Sequence, residues 1–237
     1  MFKNALVLTV LAGVLSVPSP QSAQAVPLTQ VLAPSADDAT FISLVPAREK
    51  SQVERERDDA REFRSRAQDG QKMAKDAKSQ METQMDIKKK EIEVVKAQKK
   101  AAEKEKKEAE KIKYEADIKS KELELKLLEK RKEMRDTEAK LADAYRHVAD
   151  SHMKALDREL DLISKRKQWM ELMNEGETAD PAKLQKLELS VRDLETKVLK
   201  AQIDTANRQS SATDKEKEVF EKRLKVVEAQ NAILAKS

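Results

Sequence analysis

Apolar residues recur at alternating steps of three and four along two long stretches of the chain, which is the spacing of one face of an α-helix. In the first stretch the apolar positions are Leu123, Leu127, Met134, Leu141, Tyr145, Val148, Leu156, Leu160, Ile163 and Met170. In the second stretch they are Leu184, Leu187, Val191, Leu194, Val198, Ala201, Phe220, Leu224, Val227 and Leu234. The pattern predicts an all-α fold, an elongated coiled coil in which two facing stripes form an antiparallel helical hairpin.

Residues typical of helix ends predict where these helices begin and stop. Ser51 to Glu54 fits a capping box, so a very long N-terminal helix is expected to start there. Gly70 is a tolerated interior glycine or, as the alternative, a hinge. Asn174-Glu175-Gly176 can form a left-handed C-cap, and Asp180-Pro181 fits the first turn of a second helix. A short turn is therefore predicted at residues 174–180.

The two predicted helices differ greatly in length. At about 1.5 Å per residue, residues 51–173 form a rod of roughly 185 Å, whereas the second helix is roughly 80 Å long, or shorter if Ser210-Ser211 breaks it. The second helix therefore covers only residues 120–173 and leaves residues 51–119 without a partner in the chain. Near-heptad apolar positions in that part are Met81, Met85, Ile92, Val95, Ala102, Ala109 and Ala116. We expect a homo-oligomer to cover this face; the alternative is a lone helix supported by ion pairs.

The first 25 residues carry the features of a cleaved signal peptide. Lys3 gives a positive start, residues 5–17 are almost entirely apolar, and Ala23-Gln24-Ala25 supplies the small residues of a cleavage site. The apolar run is shorter than the roughly 20 residues that a spanning helix needs. We expect cleavage after Ala25 and export, with the periplasm as the destination and secretion as the alternative.

Two short apolar segments are candidates for partner docking. Residues 26–46 form a low-charge, proline-containing leader, which is either a linker or a docking segment. The second candidate lies at the tip of the predicted hairpin, where an apolar cluster either locks the turn or binds a partner. The docking residues predicted in the two segments are Phe41, Ile42, Leu44, Val45, Trp169, Met170 and Met173.

The amino-acid composition limits which folds and which classes of partner are possible. The 237 residues include only three glycines and six prolines, too few for sheet folds that need a turn about every ten residues. Charged residues make up 39% of the chain, and residues 86–135 hold 18 basic and 13 acidic side chains. Because acids alternate with bases and aromatics are scarce, nucleic-acid binding is disfavoured, while weak contact with anionic lipid or wall polymer remains open.

The sequence offers little catalytic chemistry. It has no cysteine and only two histidines, His147 and His152, which lie about 140° apart on a helix. Asp143, His147 and Asp150 share one face and are best interpreted as an exposed ion-pair ladder rather than a metal site. We therefore expect no enzyme activity, no cofactor and no metal.

The block of residues 96–117, KAQKKAAEKEKKEAEKIKYEAD, resembles the long helical stretch of TolA-type envelope proteins, which are spacers. The Lys-rich helices and basic pI are also similar to periplasmic chaperones of the Skp type, although those proteins are shorter and trimerise through a small β-body. Both resemblances are compositional and carry no site residues. The expected organisation is residues 1–25 signal peptide, 26–46 leader, 47–119 long charged helix and 120–237 hairpin. The expected function is a non-enzymatic spacer or adaptor of the cell envelope, with a periplasmic holdase chaperone as the alternative.

Overall fold

The described part of the chain is all-α, as predicted. The computed structural model describes residues 44–176 and 180–235, and these contain three α-helices and no strand: α1 (Lys50–Lys104), α2 (Glu108–Met173) and α3 (Pro181–Leu234). The predicted signal peptide, most of the leader, and the docking residues Phe41 and Ile42 lie outside the described residues.

α2 ends and α3 begins at the residues that flank the turn predicted at 174–180. α2 ends at Met173, and Gly176 has a positive φ of 60°, the left-handed conformation that glycine adopts without strain. The Asp180 carboxylate accepts hydrogen bonds from the N–H groups of Ala182 and Lys183, at 2.9 and 3.4 Å, and Pro181 occupies the first turn of α3. α3 then continues through Ser210-Ser211 without a break.

The single long helix predicted over residues 51–173 is wrong, because the chain reverses at residues 105–107. The Lys107 N–H donates to the Ala102 carbonyl (3.0 Å) and the Lys106 N–H to the Glu103 carbonyl (3.2 Å), the hydrogen-bond pattern of a Schellman motif. Lys106 takes the left-handed position, with a φ of 57°, at a cost of about 1–2 kcal/mol for a residue that is not glycine. Packing of α1 against α2 offsets that cost.

Two further expectations change with this turn. Residues 51–119 do have a partner within the chain, since α1 packs along α2. The domain boundary predicted at residues 119 and 120 falls inside α2. At the start of α1 the predicted capping box does not form: the helix begins at Lys50, and the Ser51 hydroxyl donates to the Glu49 carboxylate at 3.3 Å.

Small side chains at seven-residue steps bring α1 close to α2. The buried positions of this row are Val53, Ala60, Ala74, Val95 and Ala102. A Cβ added to Gly70 would lie 4.0 Å from the Cβ of Ala142, an ordinary van der Waals distance. Val53 and Ala60 join the buried Leu156 of α2 in an apolar cluster near the start of α1.

A second row with the same step joins α3 to α2. Its buried members on α3 are Val191, Val198, Ala212, Val219 and Val226. The predicted stripe was therefore correct near Val191 and wrong beyond Thr205: Phe220, Leu224, Val227 and Leu234 are all exposed. The reason is that the contacting row keeps an unbroken step of seven, whereas the larger side chains lie at neighbouring positions. α2 packs against both outer helices, and α1 and α3 make no comparable contact in the described part of the chain.

Candidate functional site

A row of polar bonds joins α1 to α2 at four successive heptads and again three heptads further on. Its members are Arg57–Asp157 (2.7 Å), Arg64–Asp150 (2.6 Å), Gln71–Asp143 (3.1 Å), Lys78–Asp136 (2.7 Å) and Lys99–Glu115 (3.0 Å). Within the first four bonds, the residue number on α1 rises by seven from one bond to the next and the residue number on α2 falls by seven. The fifth bond keeps the same register three heptads further on. The two helices are therefore antiparallel. We call the side of α2 with these bonds the ladder face.

The ladder carboxylates are held in their charged form. Lys140 and Lys78 both hydrogen-bond Asp136 and lower its pKa to about 2. Arg146, 2.8 Å from Asp143, lowers the pKa of that carboxyl as well. These bonds account for the cluster of Asp143, His147 and Asp150: both carboxylates belong to the ladder, and His147 lies at its edge, 3.5 Å from Asp143. Across the described residues, no group of three acidic or histidine side chains is placed to hold a metal ion.

Tyr145 marks the opposite side of α2. Tyr145 follows Asp143 by two positions, so the two side chains point about 200° apart around the helix. The Tyr145 ring meets the ring of Phe63 on α1 edge-on, with centroids 5.6 Å apart, and its hydroxyl donates to the Glu216 carboxylate on α3. One side chain thus connects all three helices. We call this side the Tyr145 face; its α2 positions, seven residues apart, are Glu138, Tyr145, His152, Glu159 and Arg166.

A buried polar junction closes the Tyr145 face near the start of α1. The Arg166 guanidinium donates to the Val45 carbonyl (2.7 Å) and to the Glu195 carboxylate (2.6 Å). The side chains of Arg166 and Glu195 are 13% and 7% exposed, so this ion pair is largely shielded from water. It ties the segment before α1 to both α2 and α3.

Burial changes the acid–base properties of two neighbouring groups. Glu159 is 3% exposed, and its burial raises the pKa of the carboxyl although Arg48 lies 3.3 Å away. Burial also lowers the pKa of His152, one heptad earlier on the same face. The Tyr145 face therefore favours the neutral forms of these groups, whereas the ladder face favours charged ones.

The predicted docking residues that are described gather at one end of the molecule. Leu44, Met170 and Met173 are exposed, at 62%, 52% and 46%, and Trp169 is half-buried. Val45 is buried, so it anchors the leader rather than offering a docking side chain. An open groove beside them, between the ends of α2 and α3, is lined by the apolar and charged side chains of Leu172, Leu187, Lys165, Glu171, Lys183 and Lys186.

Sequence reasoning did not identify the two faces. The signal for the ladder was present in the acids that recur every seven residues from Asp136 to Asp157, but their partners on α1 become evident only once the turn at residues 105–107 is known. Tyr145 was assigned to the stripe toward α3, and its contact with Phe63 was not foreseen.

Comparisons with known proteins identify no relative. No protein-family model matches the chain, and searches of curated proteins and of solved structures found no similar protein. Within residues 44–176 and 180–235, none of the helices is long and apolar enough to cross a membrane. The part of the chain that the structure describes is therefore defined only as an all-α arrangement of three long helices.

Proposed function

We propose that this chain is an exported, non-enzymatic spacer or adaptor of the bacterial cell envelope, built as an antiparallel coiled coil of two successive helical hairpins that share α2. The observation that carries the proposal is the ladder between α1 and α2. Its bonds extend from Arg57–Asp157 to Lys99–Glu115 and so span most of α1.

A repeated polar ladder suits a spacer because it fixes register. Each half-exposed ion pair contributes about 1 kcal/mol or less, so the ladder adds modest stability. Sliding α1 along α2 by less than a heptad would, however, separate every pair at once, and polar pairs beside an apolar seam are a known way to specify one alignment. Because the apolar row of α1 contains many alanines, which pack in several registers, the ladder supplies the specificity.

The adaptor part of the proposal is based on the end of the molecule where α2 ends. Arg166 donates to the Val45 carbonyl, and Met170 and Met173 lie about one and two turns further along α2. Exposed methionines are flexible and polarizable, and they suit a protein-docking surface. This end therefore offers a partner the exposed apolar side chains of Leu44, Met170 and Met173.

A photo-crosslinking residue introduced in place of Met173 tests this assignment in intact cells. The matched control replaces Ile112, which is 65% exposed near the opposite end of α2. We expect one discrete crosslinked product from position 173 and none from position 112, with mass spectrometry identifying the partner. Equal products from both positions, or none from either, would contradict the adaptor.

A holdase chaperone is the second candidate, because the same exposed methionines could bind unfolded chains of many sequences. In that case position 173 would give a smear of products, and the purified protein would suppress aggregation of an unfolded outer-membrane protein. Replacement of Met170 and Met173 by glutamate would abolish that suppression. Export itself is tested by N-terminal sequencing of the cellular protein, which we expect to begin at Val26.

A further inference from the structure

The Tyr145 face continues into two parallel rows of exposed apolar side chains, one on each outer helix. The row on α1 comprises Met73, Ile87 and Val94, which are 72%, 54% and 57% exposed. The row on α3 comprises Phe220, Val227 and Leu234, which are 64%, 48% and 73% exposed. Both rows have steps of seven or fourteen residues, so each stays on one side of its helix and drifts by only about 20° per heptad. We call them the paired rows.

The paired rows lie on the same side of the molecule. On α1, Met73 follows the ladder residue Gln71 by two positions and is therefore about 200° away from it. On α3, Phe220 packs beside Arg223, whose guanidinium is 5.7 Å from its ring centroid. Arg223 in turn donates to Glu138 on the Tyr145 face of α2 at 3.2 Å. Both rows therefore lie on the side of the molecule that carries the Tyr145 face, opposite the ladder face.

The rows also lie at the same level along α2. Gly70 is opposite Ala142, and Met73 is about one helical turn further along α1. Glu138, the partner of Arg223, is about one turn from Ala142 in the same direction, which brings Phe220 level with Met73. Fourteen residues later on each helix, Ile87 and Leu234 are level by the same count. The surface between the rows is formed by α2.

We propose that a second copy of this chain covers this surface, so that two molecules stack face to face with their helices antiparallel. The surface is self-complementary about a two-fold axis near Val227. That axis places Phe220 opposite Leu234 of the second copy, Met73 opposite Ile87, and Val227 opposite itself. On α2 it places Arg131 opposite Glu138 of the second copy, so opposite charges meet in both halves.

The size of the surface reaches the lower range of specific dimers. Residues 73–87 and 220–234, which the axis exchanges, span about 21 Å of helix, and two outer helices each about 8–10 Å from α2 give a width of roughly 25 Å. The contact is on the order of 500 Å² per copy, or about 1,000 Å² in total, near the lower limit for a specific interface. The apolar rows then lie on either side of a charged centre.

The test is the mass of the chain in solution. We expect sedimentation equilibrium from 1 to 100 µM to show a dimer, and the double variant Phe220→Glu/Val227→Glu to weaken it at least tenfold. The matched control is Ile203→Glu: Ile203 is 61% exposed on the same helix and about 25 Å from Phe220, and its variant should dimerise like the parent chain. A monomeric parent chain, or equal weakening by both variants, would overturn the proposal.

A crosslinking measurement does not depend on the stability of the charged variants. The chain has no cysteine, so Val227→Cys introduces a single thiol at the expected two-fold axis. We expect oxidation to give a disulfide-linked dimer from Val227→Cys and little from Ile203→Cys. If the leader or another protein occupies this surface instead, neither variant crosslinks and the inference fails. The proposed spacer function would survive that failure, because it is tested at Met173.

Discussion

The two faces of α2 use different physical means to hold neighbouring helices. On the ladder face, the pair Arg64–Asp150 is one of four polar bonds at successive heptads, and its side chains remain 42% and 28% exposed. On the Tyr145 face the Arg166–Glu195 pair occurs once and is largely buried. Exposed pairs are screened by water and individually weak, whereas a buried charge that loses its partner is strongly destabilising.

We infer that the ladder face fixes the alignment of α1 on α2, whereas the Tyr145 face holds the three helices together. The ladder is distributed, so loss of one pair leaves the others to hold the alignment of α1. The Tyr145 face concentrates its contacts at Tyr145 and at Arg166, where three segments of the chain meet. Single substitutions should therefore have unequal effects on the two faces.

The largest effect is expected from Arg166→Met. This variant leaves the Glu195 carboxylate buried without its guanidinium and releases the Val45 carbonyl, at a cost of about 3–5 kcal/mol in the free energy of unfolding. Urea denaturation followed by circular dichroism measures it. The comparison variant on the ladder is Arg64→Met, which we expect to cost less than about 1 kcal/mol.

A second variant separates the charge effect from lost packing. Arg166→Met/Glu195→Met removes both charges and should recover most of the lost stability, because an apolar pair of similar size can replace a buried ion pair. If Arg166→Met and Arg64→Met cost the same, the contrast between the two faces does not hold.

Lys106→Gly tests whether the faces exist at all, because both require α1 to reverse at residues 105–107. Glycine relieves the left-handed strain at position 106, so this variant should be about 1 kcal/mol more stable than Lys106→Ala. In an uninterrupted helix the order reverses, since glycine is then about 1 kcal/mol worse than alanine. Chemical denaturation of the two variants decides the sign.

The two turns show what the sequence could predict about the fold. Gly176 and Pro181 have backbone preferences that interrupt a helix, so the turn at residues 174–180 was visible in advance. Lys106 is a good helix former surrounded by others, and only the packing of α1 on α2 makes its left-handed conformation favourable. Local preference therefore predicted a continuous helix there.

The candidate faces were hidden for a related reason. The helical character of α3 and its contact row at Val191 and Val198 followed from periodicity alone. The prediction failed beyond Thr205 because large apolar residues were favoured over the smaller Ala212 and Val219, which keep the strict step. Large apolar side chains make a row conspicuous in a sequence. The row that becomes buried is instead the one that keeps an unbroken seven-residue step along the contact with α2.

An exchange of the two charges in one ion pair of the ladder measures how much that pair contributes to stability. Arg57 and Asp157 lie 2.7 Å apart at half-exposed positions. Arg57→Asp or Asp157→Arg alone places like charges together, and each should cost up to about 0.5 kcal/mol. The double variant should restore most of it, which gives a coupling of roughly 0.2–1 kcal/mol in a double-mutant cycle. The coupling should shrink in 1 M salt; a coupling of zero at low salt would show that the rung adds nothing.

The smallest expected effect is a difference between the two faces in how their titratable groups change stability with pH. Burial lowers the pKa of His152, with Arg48 acting in the same direction and Glu56 opposing it. The unfolded chain therefore binds a proton more readily than the folded one, and stability falls as pH drops below the ordinary value of 6.5. Asp136, with its pKa lowered to about 2, contributes stability that is lost only as pH falls from about 4 towards 2.

We expect His152→Gln to remove the decline that begins as pH drops below 6.5 and to leave the decline below pH 4 unchanged. Asp136→Asn should do the reverse. Thermal unfolding temperatures measured across this range distinguish the two limbs. If both variants altered the same limb, the two faces would not respond to protons independently, and the separation of charged from neutral groups across α2 would lose its energetic meaning.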